Sequence, residues 1–231
     1  MARAWRMTSS GAAQRQERTV AQAAALTEQN PYAVHPGVLM VQNWVNDLKE
    51  KTGRSLEEWL ALVKKEGPKD EKAQREWLKK KHKLGTNSAW WIAERAAGKN
   101  SEDSDPDVYM MTALAYVEEQ YSGAKAPMRA LYDMLLEMGK SLGGDVKACP
   151  CKTIVPLYRN HVFAQVKPTT NTRIDLGFSL TRYKGKLPKR LIDTGGLAKK
   201  DRITHRIEIQ SASDLDGEVK KWLKTAYELD K

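Results

Sequence analysis

His161-Val-Phe-Ala-Gln-Val-Lys167, Pro168-Thr-Thr-Asn-Thr172 and Arg173-Ile-Asp-Leu-Gly-Phe-Ser-Leu180 run consecutively, and their reading decides the fold class. Both outer segments alternate with the period of two that sends successive side chains of a strand to opposite faces. Ile174, Leu176, Phe178 and Leu180 form one apolar face, and Val162, Ala164 and Val166 are its counterpart on the first arm. The second face collects His161, Phe163, Gln165 and Lys167 from one arm, and Arg173, Asp175, Gly177 and Ser179 from the other. A turn over 168–172 puts Lys167 opposite Arg173, Gln165 opposite Asp175 and Phe163 opposite Gly177. A slip of two residues changes these partners and keeps the faces. Like charges directly opposite one another are unfavourable. Lys167 and Arg173 therefore call for Asp175 between them, or for an anion on that face.

Working outward, further strands are expected at about 153–158 and 205–209, with a short one near 189–192, and helices flank them. Asp105-Pro106 is a helix start, with Asp as cap and Pro at the first position. That helix runs to about Tyr121, and a second runs from Pro127 to Leu142. A last one spans Asp214 to Leu229, with the stripe Leu215, Val219, Trp222, Leu223 and Ala226. Runs of strands bordered by helices indicate α+β with a mainly antiparallel sheet. Upstream, residues 37–98 read as a small all-helical domain. Ser55-Leu-Glu-Glu58 is a capping box, and Leu56, Trp59, Leu60 and Val63 make the stripe of the helix it opens. Residues 1–36 read as an N-terminal arm, 99–105 as a polar, acidic linker and 106–231 as the α+β domain.

The 231 residues carry a net charge of +10, unevenly spread: +2 over 1–30, +5 over 31–100, −5 over 101–144 and +8 over 145–231. Two basic regions separated by an acidic one suit contact with a polyanion, nucleic acid above all, against solubility as the alternative. No apolar run reaches the roughly 18 residues of a membrane span. Cys149 and Cys151 are too few for a disulfide scaffold, and a reducing cytoplasm is the expected compartment.

Thr52-Gly-Arg-Ser-Leu-Glu-Glu-Trp-Leu60, Trp77-Leu78 and His82-Lys-Leu-Gly85 resemble the bacterial domain of unknown function 4287. Pro127-Met-Arg-Ala-Leu-Tyr132, Lys152-Thr153, Phe163-Ala-Gln-Val-Lys-Pro168, Thr172-Arg-Ile-Asp-Leu-Gly177 and Thr204-His-Arg206 resemble the domain of unknown function 5655. The strand-rich half is also distantly similar to small α+β domains of the YjbR type. These resemblances imply an architecture and a bacterial, cytoplasmic setting. They carry no reaction.

The leading candidate site is an anion-binding face on which Lys152, Tyr158, Lys167, Arg173 and His205 converge, with Phe163 and Asp175 on the same surface. An Arg–Asp pair on a solvated face is the structural alternative. A secondary basic patch, Lys79, Lys80, Lys81, Lys83 and Arg95, sits at a helix–turn–helix-like corner beside Trp90 and Trp91, and the outward one of the two rings is expected to pack on the neighbouring domain, with base stacking as the alternative. Catalytic candidates are poor. His35, His82, His161 and His205 show no HxxxH or HxH ligand spacing, and no nucleotide loop or nucleophile elbow appears, so no metal or cofactor is expected. Asp175, Lys152 and His205 form a conceivable general-base set that spacing alone does not support. The reading is a non-enzymatic binder of nucleic acid or another phosphate-rich polyanion. The alternatives are a small-anion binder or enzyme with a pocket around Arg173, Asp175 and His205, and a protein–protein adaptor.

Overall fold

The computed structural model describes residues 30–99 and 105–231. The first part is four helices: α1 (Pro36–Thr52), α2 (Leu56–Glu66), α3 (Glu71–His82) and α4 (Thr86–Ala96). Local chemistry sets their ends. The Ser55–Glu58 capping box opens α2, the Asp70 carboxylate accepts from the Ala73 amide at the start of α3, and left-handed Gly53 closes α1. Leu48, Trp59, Val63, Leu78, Ala89 and Ile92 form the core of this part.

The second part begins with α5 (Pro106–Gln120), where the Asp105 carboxylate accepts from the amides of Asp107 and Val108. A 3-10 turn (Gly123–Met128) leads into α6 (Arg129–Lys140). Six strands follow: β1 (Lys147–Ala148), β2 (Val155–Tyr158), β3 (Val162–Pro168), β4 (Ile174–Phe178), β5 (Ile192–Asp193) and β6 (His205–Ile209). They form one antiparallel sheet in the order β1-β2-β3-β4-β6-β5. A short helix α7 (Gly196–Lys199) stands between β5 and β6, and α8 (Gly217–Leu229) closes the chain. The α+β class expected from the strand pattern is the class found. The apolar faces of Leu157, Val166, Leu176, Phe178 and Ile207 meet Tyr132 and Leu135 of α6 and Val219, Trp222 and Leu223 of α8. Gly139 lets α6 approach closely, since a Cβ there would fall 2.5 Å from Leu157 Cδ1.

The hairpin differs from its expected form in two ways. Its register is slipped by two residues, so Lys167 faces Asp175, Gln165 faces Gly177 and Ala164 faces Phe178. The amides of Thr169 and Thr170 both donate to the Arg173 carbonyl, which moves the turn past Pro168 and sets unlike charges opposite each other. Phe163 leaves the polar face altogether. Leu157 pairs with Ala164 and Tyr158 with Val162, so Phe163 is the extra residue of a β-bulge, and alternation fails there. Its ring is 0% exposed and meets the Tyr227 ring of α8 edge-on at 5.6 Å.

The end of the expected arm is docked on the second part. The Ala33 amide donates to the Ala148 carbonyl at 2.8 Å, and the Tyr32 and Tyr132 hydroxyls share a buried 3.0 Å hydrogen bond. Val38, in the first turn of α1, belongs to the α+β core, whereas Leu48 of the same helix belongs to the helical core. The rest of the arm and most of the acidic linker lie outside the described residues.

Candidate nucleic-acid interface

The polar sheet face brings Arg173 and Asp175 together with two residues that the hairpin alone does not reveal, Arg206 and Glu208 of β6. Arg173 Nη1 and Arg206 Nη1 lie 3.0 and 2.8 Å from Glu208 Oε1. Arg206 Nη1 also donates to Asp175 Oδ1 at 2.8 Å, and Arg173 Nε sits 3.0 Å from the same oxygen without the alignment of a hydrogen bond. Thr169 donates to the other Asp175 oxygen at 2.7 Å. Two guanidinium groups and two carboxylates cancel, so this face supplies its own counterions. Beside it Gly177 makes room for Ile203, because a Cβ at Gly177 would stand 2.6 Å from Ile203 Cγ2.

The other expected members of the site disperse. His205 alternates with Arg206 along β6 and so falls on the side of Ile207 and Ile209, away from Asp175. The depression of about 180 Å³ beside Asp175 is lined by neither Arg173 nor His205. The expected convergence on one ligand, and the general-base set of Asp175, Lys152 and His205, are therefore not assembled. Tyr158 turns to the docked end of the arm, its hydroxyl 2.9 Å from His35 Nε2.

Lys152 and Lys167 do come together, and Lys125 joins them. The three line a groove of about 460 Å³ with Glu119, Gln120, Thr153, Pro168 and Thr169. Lys125 Nζ donates to the Pro168 carbonyl at 2.6 Å, which ties the 3-10 turn to the end of β3. None of the three lysines has a carboxylate within ion-pair distance among the described residues. Gln120, only 7% exposed, gives its amide N–H to the Cys151 carbonyl, and its Oε1 is buried with no partner. The groove continues at both ends. Lys167 also borders the depression beside Asp175, and Lys152 also borders a cleft of about 860 Å³ between the helical part and the α+β part. Lys125 carries no signal in the sequence as a binding residue, because it is one of only three cations in the net-acidic stretch 101–144.

Residues 40–97 match the family model of the Domain of unknown function (DUF4287), and residues 117–230 match that of the Domain of unknown function (DUF5655). The chain carries a DUF4287 domain followed by a DUF5655 domain. No curated protein and no solved structure matches it. The distant likeness to YjbR-type domains gains no support from these comparisons. All three groove lysines belong to the DUF5655 domain, while the adjoining cleft is shared with the DUF4287 domain.

The basic patch expected on the DUF4287 domain is largely neutralised. Lys79 and Lys80 pair with Glu76, and Lys81 pairs with Glu66 while covering the Trp77 ring. Lys83 is the left-handed residue that ends α3. Arg95 lies at the far end of the α3–α4 hairpin, over the Trp44 ring. Trp90 is the outward ring, 44% exposed with Arg75 stacked on it, whereas Trp91 borders the cleft.

Two titratable features accompany the cleft. His35 Nδ1 accepts from the Gly37 amide at 3.0 Å, so the neutral ring carries its proton on Nε2 and donates it to Tyr158. Burial holds His35 below the ordinary imidazole value. The same holds for His82, by burial and then by Lys81 and Arg54. The unfolded chain takes up these protons near pH 6.5 and the folded chain resists them. Stability is therefore full above about pH 6.5 and declines as pH falls from there to the depressed folded values. Thermal melting is expected to drop between pH 7.5 and 5.5, and less so in His35→Gln; a flat profile would contradict the assignment. The cysteines should differ as sharply. Cys149 is buried, and burial pushes its thiol up to about 12, whereas Cys151 is half-buried at the cleft. Iodoacetamide at pH 8 is expected to label Cys151 and spare Cys149, read by peptide mass; equal labelling would refute this difference.

Proposed function

We propose that the chain binds nucleic acid, as a single strand or an equivalent phosphate-rich linear ligand, along the lysine groove of its DUF5655 domain, without reaction. One observation carries the reading: Lys125, Lys152 and Lys167 meet on a groove where Glu119 is the one carboxylate among the lining residues and none of the three is ion-paired to a described carboxylate, and the groove runs on through Lys167 and Lys152 into the neighbouring hollows. A track of cations suits a polymer whose phosphates recur, and such contacts dominate affinity for single strands. The net charge of +10 supports the approach of such a ligand. The same reading places the protein in the bacterial cytoplasm, in keeping with two unbridged cysteines. Among the described residues no helix is long and apolar enough to cross a membrane.

Fluorescence anisotropy of a labelled mixed-sequence strand, DNA and RNA in turn, tests it across a salt series. Three phosphate contacts predict a log–log slope of about −2. Binding that ignores salt, or no binding to either strand, would overturn it. The second reading is a small anion held at the same lysines, favoured by the buried, unpartnered Gln120 Oε1, which suits a ligand hydroxyl. Thermal stabilisation by inorganic phosphate without strand binding would select it.

A further inference from the structure

We infer that the cleft between the DUF4287 and DUF5655 domains is a stacking pocket for one planar ring, a nucleobase of the strand whose phosphates follow the lysine groove. The inference rests on the strand-binding reading and adds to it the part of the ligand that carries no charge. Domain interfaces are where ligand sites concentrate, and the cleft's volume of about 860 Å³ lies within their usual range of about 300–1,000 Å³. Its walls are rings from both sides: Trp91 of α4, and Tyr109 and Tyr116 of α5.

Two of these rings are held in place before any ligand arrives. Trp91 packs edge-on against Trp44 at 4.8 Å, and Trp44 is itself fixed by donating its indole N–H to Ser88. The Tyr109 hydroxyl donates to the Pro150 carbonyl at 2.8 Å, which anchors a ring that is buried at the floor of the cleft. Rings that are already ordered lose little freedom on stacking. The mouth is apolar without being covered, since Met40 is 56% and Val108 37% exposed. That is surface a base would bury.

The polar groups select the ring's attachments. Lys152 lines both the cleft and the groove, so a base in the cleft leaves its phosphate at the first lysine of the track. Glu119 lines both as well, and its carboxylate is an acceptor for a ribose hydroxyl or an exocyclic amine. A bare polyphosphate offers nothing to the rings, and a sulfated sugar chain offers them C–H faces in place of a flat π face, so a nucleotide is the class this constellation takes best.

The test compares two strands of equal charge, tetradeoxyadenylate and an abasic tetranucleotide, competing with a labelled strand for the full-length chain. Tetradeoxyadenylate is expected to bind at least about tenfold tighter, the gain of one stacked base. Trp91→Ala and Tyr116→Ala should each erase most of that difference and leave abasic binding unchanged. Cys151 gives an independent reading on the unsubstituted chain: tetradeoxyadenylate should slow its alkylation and the abasic strand should not. Equal binding of the two strands, with no protection of Cys151, would overturn the pocket and leave the lysine groove standing. Failure of both strands to bind would remove the groove reading as well.

Discussion

Replacing Lys125, Lys152 and Lys167 together by alanine should weaken single-strand binding by about a thousandfold or more at low salt, since charge-assisted contacts contribute about 1.5–3 kcal/mol each. The salt slope should flatten by about 2, because each lost phosphate contact on a single strand removes about 0.7. Melting temperature should fall only by what the Lys125 bond to the Pro168 carbonyl contributes, as none of the three is ion-paired to a described carboxylate. Single variants apportion the effect. Lys125→Ala also loses the 2.6 Å bond to the Pro168 carbonyl, so it should be the one that loosens the end of β3. The informative control is Arg173→Ala. Arg173 already answers to Asp175 and Glu208, and its removal should leave affinity within about twofold. A triple variant that binds as the parent does, beside an Arg173→Ala that does not, would move the site back to the sheet face.

Trp59→Ala is expected to cost about 3–5 kcal/mol, the usual penalty for emptying a buried aromatic site. Trp59 is 2% exposed, and its indole N–H donates to Thr52 at 2.8 Å. Small domains have only about 5–15 kcal/mol in hand, so the DUF4287 domain should melt well below the rest. Its core and the DUF5655 core share no residue. Far-ultraviolet circular dichroism of the variant should therefore show two transitions, the first helical. Phe178→Ala should reverse the order, since Phe178 is fully buried in the other core. A single transition displaced as a whole in both variants would mean that the two domains fold as one unit.

Much of the fold is legible in the sequence because its signals are local. The capping box at Ser55, Asp105-Pro106 and the stripe from Leu215 to Ala226 each mark an element without reference to anything distant. The hairpin was legible in its faces and not in its register. Alternation tells which side a residue takes, whereas the pairing depends on where the turn closes, and Thr169 and Thr170 close it on Arg173. Strict alternation puts Phe163 on the wrong face for a related reason, because a bulge reverses alternation from the bulged residue onward and leaves no mark in composition. The site was least legible. Arg206 and Glu208 neutralise the sheet face only because β6 pairs with β4, about thirty residues away in sequence. Lys125 reaches the groove only because the 3-10 turn folds back against Pro168. Charge counted along the chain sees neither event.

Helix α1 is rooted in both cores, by Val38 at one end and Leu48 at the other. It behaves as a strut of set length between the two walls of the cleft. One residue added between those roots would lengthen it by about 1.5 Å and turn one wall by about 100° against the other. Both cores would survive and the cleft would not. The spacing of ten residues from Val38 to Leu48 is thus a gauge for whatever occupies the cleft, written in a helix most of which does not line it.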